Sequence, residues 1–335
     1  MTRHSRLTRF LLVLLALTLG TAMSACGNQS GSSSASSSAG IPLTVGLTYT
    51  PDIQFSPFYV AVQKGYFADE GLNVTLRHHG ASESLMGALQ SGTEDVVYAG
   101  GDEMLLSRSQ GVDVVNFATM YQSHPAELIV PQGSSISSFA DLRGHSIGIP
   151  GPFGENWYAL LAMLRQAGLT QGDVNIQSIG YTQQAALMGN KVDAVVGFSN
   201  NDAVKFGQAG FPIREIRLDA ATPLVALGLG ASKATVTDKQ DQLKAMMRAL
   251  DKAVAYCTSD LDGTVALTEK YVPALSDDAQ RAAARATLEA TNKLYGSQLG
   301  KQDARRWSDM ATFMAESGII SKPVDAKESF VSLVG

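Results

Sequence analysis

The sequence predicts an α/β protein of two lobes followed by a helical C-terminal tail. Two observations carry this expectation. Between Leu43 and Phe198, short apolar runs of strand character alternate with helix-like stretches, as parallel βαβ units do. From Lys239 onward the strand-like runs disappear and long helical patterns take over. A chain of 335 residues, 45% of them hydrophobic and 17% charged, is long enough for two cores of ordinary size.

Taken in order, Leu43 to Leu47 reads as a strand, Ser56 to Asp69 as a helix stopping near Gly71, and Val74 to Arg77 as the next strand. Glu83 to Gln90 is helical, Asp95 to Tyr98 a short buried strand, Met104 to Gln110 a helix closed by Gly111, and Val114 to Ala118 a strand. After Pro131 the rhythm resumes with Ser146 to Ile149, Trp157 to Ala167, Val174 to Ile179, Gln183 to Met188 and Ala194 to Phe198. The tail reads as helices over Gln240 to Thr258, Thr264 to Tyr271, Asp277 to Leu294 and Asp303 to Ser317, punctuated by Pro273 and Gly318. If the tail packs back on the first lobe, that lobe is discontinuous, comprising 41–127 and 226–335. The second lobe is then 128–225, with Glu127 to Val130 and Leu224 to Leu229 as the crossing strands.

At the N-terminus, Arg3, Arg6 and Arg9 precede an apolar run from Phe10 to Leu19 and then small residues up to Cys26, the layout of an export signal over 1–25. The run is about half of the roughly 20 residues a bilayer-spanning helix needs. Met23-Ser24-Ala25-Cys26 resembles a bacterial lipobox, which implies cleavage before Cys26 and lipid on its thiol. The segment 26–40, rich in Ser, Gly and Ala, then reads as a flexible tether, and the expected location is the outer face of the cytoplasmic membrane. Cys257 sits in an apolar helical pattern and reads as a core residue.

Composition excludes several classes. Lys plus Arg number 26 against 31 Asp plus Glu, a net charge of −5 with no long basic run, which is not the footprint of a nucleic-acid binder. Two cysteines and five histidines, of which only His78 and His79 adjoin, offer no zinc or disulfide spacing, so no metal and no cofactor is expected. No catalytic constellation is legible along the chain, although distant residues can converge in space.

Lys64-Gly65-Tyr66-Phe67 and Glu70-Gly71-Leu72 follow one another closely, and then come Ser91-Gly92 with Asp95. Asp141-Leu142-Arg143-Gly144 precedes a strand, Gly151 to Gly154 opens a helix, and Lys191-Val192-Asp193-Ala194 leads into another strand. In this order, over Leu43 to Asp202, the sequence resembles the NMT1/THI5-like (SsuA/THI5-like) solute-binding proteins, relatives of the nitrate, sulfonate and taurine binding components of ABC importers. The resemblance implies a two-lobe periplasmic-binding-protein-like fold of type II with a hinge, a small-molecule ligand, an importer permease as partner, and a monomer. Read physically, the same motifs are folding devices: Gly65 ends a helix as its αL residue, and the Asp141 and Asp193 segments are turns feeding strands.

In open α/β sheets, ligands sit beyond the carboxyl ends of strands, where helix N-termini present free N–H groups. Four loops occupy that place. Tyr49 to Ser56 offers Asp52 and Gln54 as polar handles and Phe55 as a stacking face. In Gly100-Gly101-Asp102-Glu103, the glycines permit close backbone approach, while Asp102 and Glu103 either accept hydrogen bonds from a ligand or cap the following helix. Gly151 to Trp157 joins Phe153, Gly154 and Asn156 to Trp157, which faces either ligand or core. Phe198 could wall the cleft with Asn200 and Asn201 as edge partners, or this loop is turn chemistry alone. Tyr121, Gln122 and Gln183 follow by the same positional logic.

Lys and Arg are absent from all four loops. Carboxylates and aromatics suit an uncharged or weakly basic planar nitrogen heterocycle better than an oxyanion. The order of expectation is a thiamine-precursor pyrimidine, then a flavin, then a sulfonate or nitrate. The family also includes enzymes that build the thiamine pyrimidine, whose functional lysine would fall at Ala99 and histidine at Glu103. Their cysteine-rich segment has no counterpart here, so a binder, not an enzyme, is expected. Pyrimidine binders typically show Trp where this chain has Tyr49 and His where it has Phe55.

Overall fold

Leu43, Val45 and Leu47 alternate along the first strand, and all three are buried, so this strand lies inside a sheet and not at its edge. The structure, a computed structural model, describes residues 40–79, 83–218 and 222–333. The expected signal, Cys26 and the tether up to residue 39 lie outside the described residues.

The strands in chain order are β1 (Ile41–Thr48), β2 (Leu72–His79), β3 (Val96–Gly100), β4 (Val115–Thr119), β5 (Ala126–Pro131), β6 (Ser146–Ile149), β7 (Asn175–Ser178), β8 (Ala194–Phe198), β9 (Ile213–Arg217) and β10 (Leu227–Ala231). They form two five-stranded sheets, β2-β1-β3-β10-β4 and β7-β6-β8-β5-β9. Each sheet has a parallel trio extended by one antiparallel strand: β10 runs against β3 and β4, and β5 against β8 and β9. The chain passes to the second sheet between Thr119 and Ala126 and returns between Arg217 and Leu227. Of the expected crossing strands, Glu127 to Val130 lies wholly within β5 of the second sheet, so that crossing is the segment before it. Leu224 to Leu229 does span the return, with Leu224 and Val225 in the second core and Ala226 and Leu229 in the first. Ala126 and Glu127, expected in lobe 1, pair in the second sheet.

The helices are α1 (Ser56–Gln63), α2 (Tyr66–Asp69), α3 (Leu85–Gln90), α4 (Gly101–Ser109), α5 (Gly154–Gln166), α6 (Gln183–Met188), α7 (Asp202–Gln208), α8 (Lys233–Asp238), α9 (Gln240–Ser259), α10 (Leu261–Thr268), α11 (Asp278–Asn292) and α12 (Ala304–Glu316). The single helix expected over Ser56 to Asp69 is two, broken where Gly65 takes φ 76°. Glu70 ties α2 to α9 through Arg248 (2.8 Å) and Lys252 (2.9 Å). Among the described residues, no helix is long and apolar enough to cross a membrane.

One core joins Leu43, Phe58, Tyr98 and Leu229 to Leu250 of α9 and Leu288 of α11. The other joins Leu128, Ile147, Leu160 and Val196 to Trp307, Met310, Phe313 and Met314 of α12. The tail is thus divided. α12, expected with lobe 1, lays its apolar face into the second core, and Glu316 at its end pairs with Arg165 of α5 at 2.7 Å. Its apolar positions allow either partner, and only the return path of the chain decides between them.

Candidate functional site

The loops after β1, β3, β6 and β8 converge on a cleft of about 310 Å³ lined from both halves of the fold. The cleft lies beyond the carboxyl ends of the strands, where helix N-termini point.

Its aromatic lining has two tiers. Phe55 (4% exposed), Tyr98 and Tyr121 are buried, and successive rings meet edge to face at 6.2 and 6.3 Å. Tyr49 (52%), Phe153 (55%) and Tyr181 (70%) stand exposed at the mouth. Tyr49 takes φ 76°, a left-handed conformation unusual for an aromatic, and its carbonyl accepts from His78 Nδ1 at 3.2 Å. Three large rings left to solvent at one concave edge form an unpaired apolar surface of the kind that marks a ligand groove.

Gln54 and Asn200 face each other across the halves. Asn200 Nδ2 donates to Gln54 Oε1 at 3.1 Å and to Thr291 Oγ1 of α11 at 3.0 Å. Asn156 Nδ2 is committed to the Val196 carbonyl at 3.0 Å, and Asp202 accepts from the Phe198 N–H at 2.8 Å. Burial raises the Asp202 carboxyl, although Phe198 N–H and Lys205 oppose the shift.

The starts of α4 and α5 bring carboxylates together. Glu103 accepts from the Gly100 N–H (3.2 Å) and Asp102 from the Glu103 N–H (2.7 Å), so both cap α4. Burial first, and then the charge of Asp102, push Glu103 up to about 7. Burial, with Asp102 and Glu103 beside it, holds Glu155 well above the usual carboxylate range. A Cβ on Gly100 would lie 2.4 Å from Asp102 Oδ1 and 2.5 Å from Glu155 Oε1, so only glycine leaves room for this meeting.

Of the residues expected to touch ligand, Tyr49, Gln54, Phe55, Glu103, Phe153, Gly154, Asn156, Phe198, Asn200 and Asn201 line the cleft, as do Tyr121 and Gln183. Five are elsewhere. Asp52 caps the turn Ile53–Phe55 and holds Gln54, accepting from its N–H (3.2 Å) and Nε2 (3.3 Å). Ser56 is buried and accepts from Cys257 Sγ at 3.7 Å. Gly101 donates to the carbonyls of Val225 (3.1 Å) and Ala226 (3.2 Å). Asp102 is buried behind Gly100, and Trp157 packs on the second core. Gln122, named on the same positional grounds, donates to the Thr119 carbonyl at 2.7 Å and also lies off the lining.

Tyr98, Glu155, Tyr181 and Lys205 line the cleft and were not expected. Glu155 sits inside a loop already singled out, and Tyr181 follows β7 as the strand-end rule requires. Tyr98 is interior to a strand, and Lys205 lies one turn into α7, where loop reasoning does not look. Lys205 also corrects the expectation of a cleft without cationic side chains.

Two α/β lobes, crossed twice by the chain and facing each other over such a cleft, define the periplasmic-binding-protein fold. The aliphatic sulphonate binding protein SsuA from Escherichia coli shares it, with a TM-score of 0.72 at 17% identity over 88% of this chain and 94% of that one. The chain belongs to the NMT1/THI5 like family, whose model matches residues 52–262. Among relatives, the riboflavin-binding protein RibY of Chloroflexus aurantiacus is 33% identical over 297 residues, 87% of this chain and 85% of the relative. The formylaminopyrimidine-binding protein of Halalkalibacterium halodurans is 26% identical over 298 residues, 86% of this chain and 89% of the relative.

Proposed function

We propose that this chain is an exported solute-binding protein, lipid-anchored at Cys26, that takes a planar nitrogen heterocycle into the interlobe cleft and delivers it to the permease of an ABC importer. A flavin of the riboflavin type is the first candidate ligand, ahead of a thiamine-precursor pyrimidine. The observation that carries this reading is the two-tier aromatic lining. A fused three-ring system uses both the buried rings and the exposed rings at the mouth, whereas a single pyrimidine ring uses only one tier. The relative named as binding riboflavin supports the same choice.

A sulfonate or nitrate fits less well. The starts of α4 and α5 already carry Asp102, Glu103 and Glu155, and among the described residues Lys205 is the only Lys or Arg in the lining. The synthase reading lacks its chemistry: Ala99, where the lysine would fall, is a buried alanine in β3, and burial pushes the Cys257 thiol up to about 11. Ligand contacts from both lobes favour closure about the hinge. Calorimetric titration with riboflavin, hydroxymethylpyrimidine, formylaminopyrimidine and an alkanesulfonate tests the assignment. Saturable one-to-one heat with riboflavin is expected. Binding of the sulfonate with no heat from any heterocycle would overturn the ligand class.

A further inference from the structure

Three carboxyl groups from two lobes meet at the back of the cleft, with no lysine or arginine paired to them among the described residues. Asp102 and Glu103 open α4, which follows β3 of the first sheet, and Glu155 opens α5, which follows β6 of the second. Among the described residues, no Lys or Arg lies within ion-pair distance of any of them, and the charge of Lys205 acts on Asp202 instead.

His124, on the first crossing, is the fourth member. Its side chain is 5% exposed, and its Nδ1 accepts from the Ala126 N–H at 3.2 Å. A neutral ring therefore carries its proton on Nε2, which lies 3.9 Å from Asp102 Oδ2. Asp102, His124 and Glu155 have ligand-type atoms within 4.8 Å of one another, close enough for one metal ion to touch all three. An N–H aimed into the cluster makes His124 a donor and not a metal ligand, since a ligating histidine turns its other nitrogen to an acceptor. Asp102 Oδ2, His124 Nε2 and Glu155 Oε1 are all buried without a hydrogen-bond partner. The remaining titratable groups acting on Glu155 or acted on by it are the hydroxyls of Tyr98, Tyr121 and Tyr158, none of which supplies positive charge.

We propose that closure of the lobes on a ligand takes up a proton at the cluster of Asp102, Glu103 and Glu155, so that ligand is held more tightly at acid than at alkaline pH. This rests on the binding and closure proposed above. In the closed form, one more negative charge among these groups is opposed by burial and by its neighbours, while separation of the lobes returns Glu155 to water and to ordinary acidity. The balance is one proton from solvent onto a Glu155 carboxylate oxygen on closing, and its release on opening. The sign follows from linkage: the form that binds the extra proton is favoured as pH falls, and affinity drops at most about tenfold per pH unit as pH rises.

The test has two arms on the full chain. Riboflavin calorimetry at pH 7 in buffers of different ionisation enthalpy should report uptake of 0.5 to 1 proton (about one at most, by linkage) in the parent protein and near zero in Glu155→Gln. Glu103→Gln should lower the uptake only in part. Without ligand, small-angle scattering between pH 5.5 and 8.5 (a range spanning roughly neutral pH) should show the parent protein expanding as pH rises and Glu155→Gln remaining compact. No uptake in the parent, or equal uptake in Glu155→Gln, overturns the proposal. If riboflavin does not bind, the ligand assignment fails, and the scattering arm still decides the proposal: a parent profile unchanged with pH, or one matched by Glu155→Gln, overturns it.

Discussion

Phe55 and Phe153 are the same side chain in opposite environments, and the two should fail differently. Phe55 is buried between His78 and Tyr98, so Phe55→Ala should cost about 3–5 kcal/mol of stability, read by chemical denaturation. Phe153 is more than half exposed, so Phe153→Ala should leave stability nearly unchanged while weakening riboflavin binding severalfold, in line with a stacking contribution of about 0.5–1.5 kcal/mol. Away from the cleft, Glu127 has both carboxylate oxygens without hydrogen bonds, and Arg217 Nε at 3.5 Å is itself largely exposed. Burial, reinforced by Glu215 and only partly opposed by Arg217, pushes the Glu127 carboxyl up to about 9. The folded state thus keeps a proton that the unfolded chain gives up at its ordinary value, and stability falls as pH rises between the two. Glu127→Gln should therefore raise stability by about 1–2 kcal/mol at high pH and much less in acid, compared by urea unfolding at pH 8 and pH 5 (roughly either side of neutral). Single residues were legible where they lie in loops after strands, as Gln54 and Asn200 do. Asp52 and Trp157 share that address but point away, because a cap or a core claims them first, and no spacing distinguishes the cases.

Elements read more plainly than their partners. Ser146–Ile149, Gln183–Met188 and Ala194–Phe198 coincide with the strands and helix expected, because apolar runs bounded by turn residues leave little choice. β9 is not legible in the sequence: Ile213–Arg217 sets two isoleucines among three charged residues at a sheet edge and offers neither an apolar run nor a strict alternation. The break between α1 and α2 depends on one backbone angle at Gly65, and the placement of α12 depends on where the chain returns. At the start of α5, Gly154 takes φ 70°, so Gly154→Ala should cost about 1–2 kcal/mol through left-handed strain alone. Because Phe153 and Glu155 flank it, the same substitution should weaken ligand binding beyond what a destabilised fold explains, shown by calorimetry on protein verified as folded by circular dichroism.

At the scale of the whole molecule, two sheets of matching strand order place two pairs of strand ends opposite each other, and the cleft follows from that arrangement. The doubling was legible as two βα series. The antiparallel strand in each sheet was not, because sequence order says nothing of which sheet a strand joins after a crossing. The central claim is that a planar heterocycle sits between the lobes and is held by both. A crystal structure of the riboflavin complex tests this most directly. The expected result is the tricycle between the Tyr49 to Phe55 loop and the Phe153 to Asn156 loop, with polar contacts from Gln54 and Asn200. A flavin bound to one lobe only, or outside the cleft, would contradict the account.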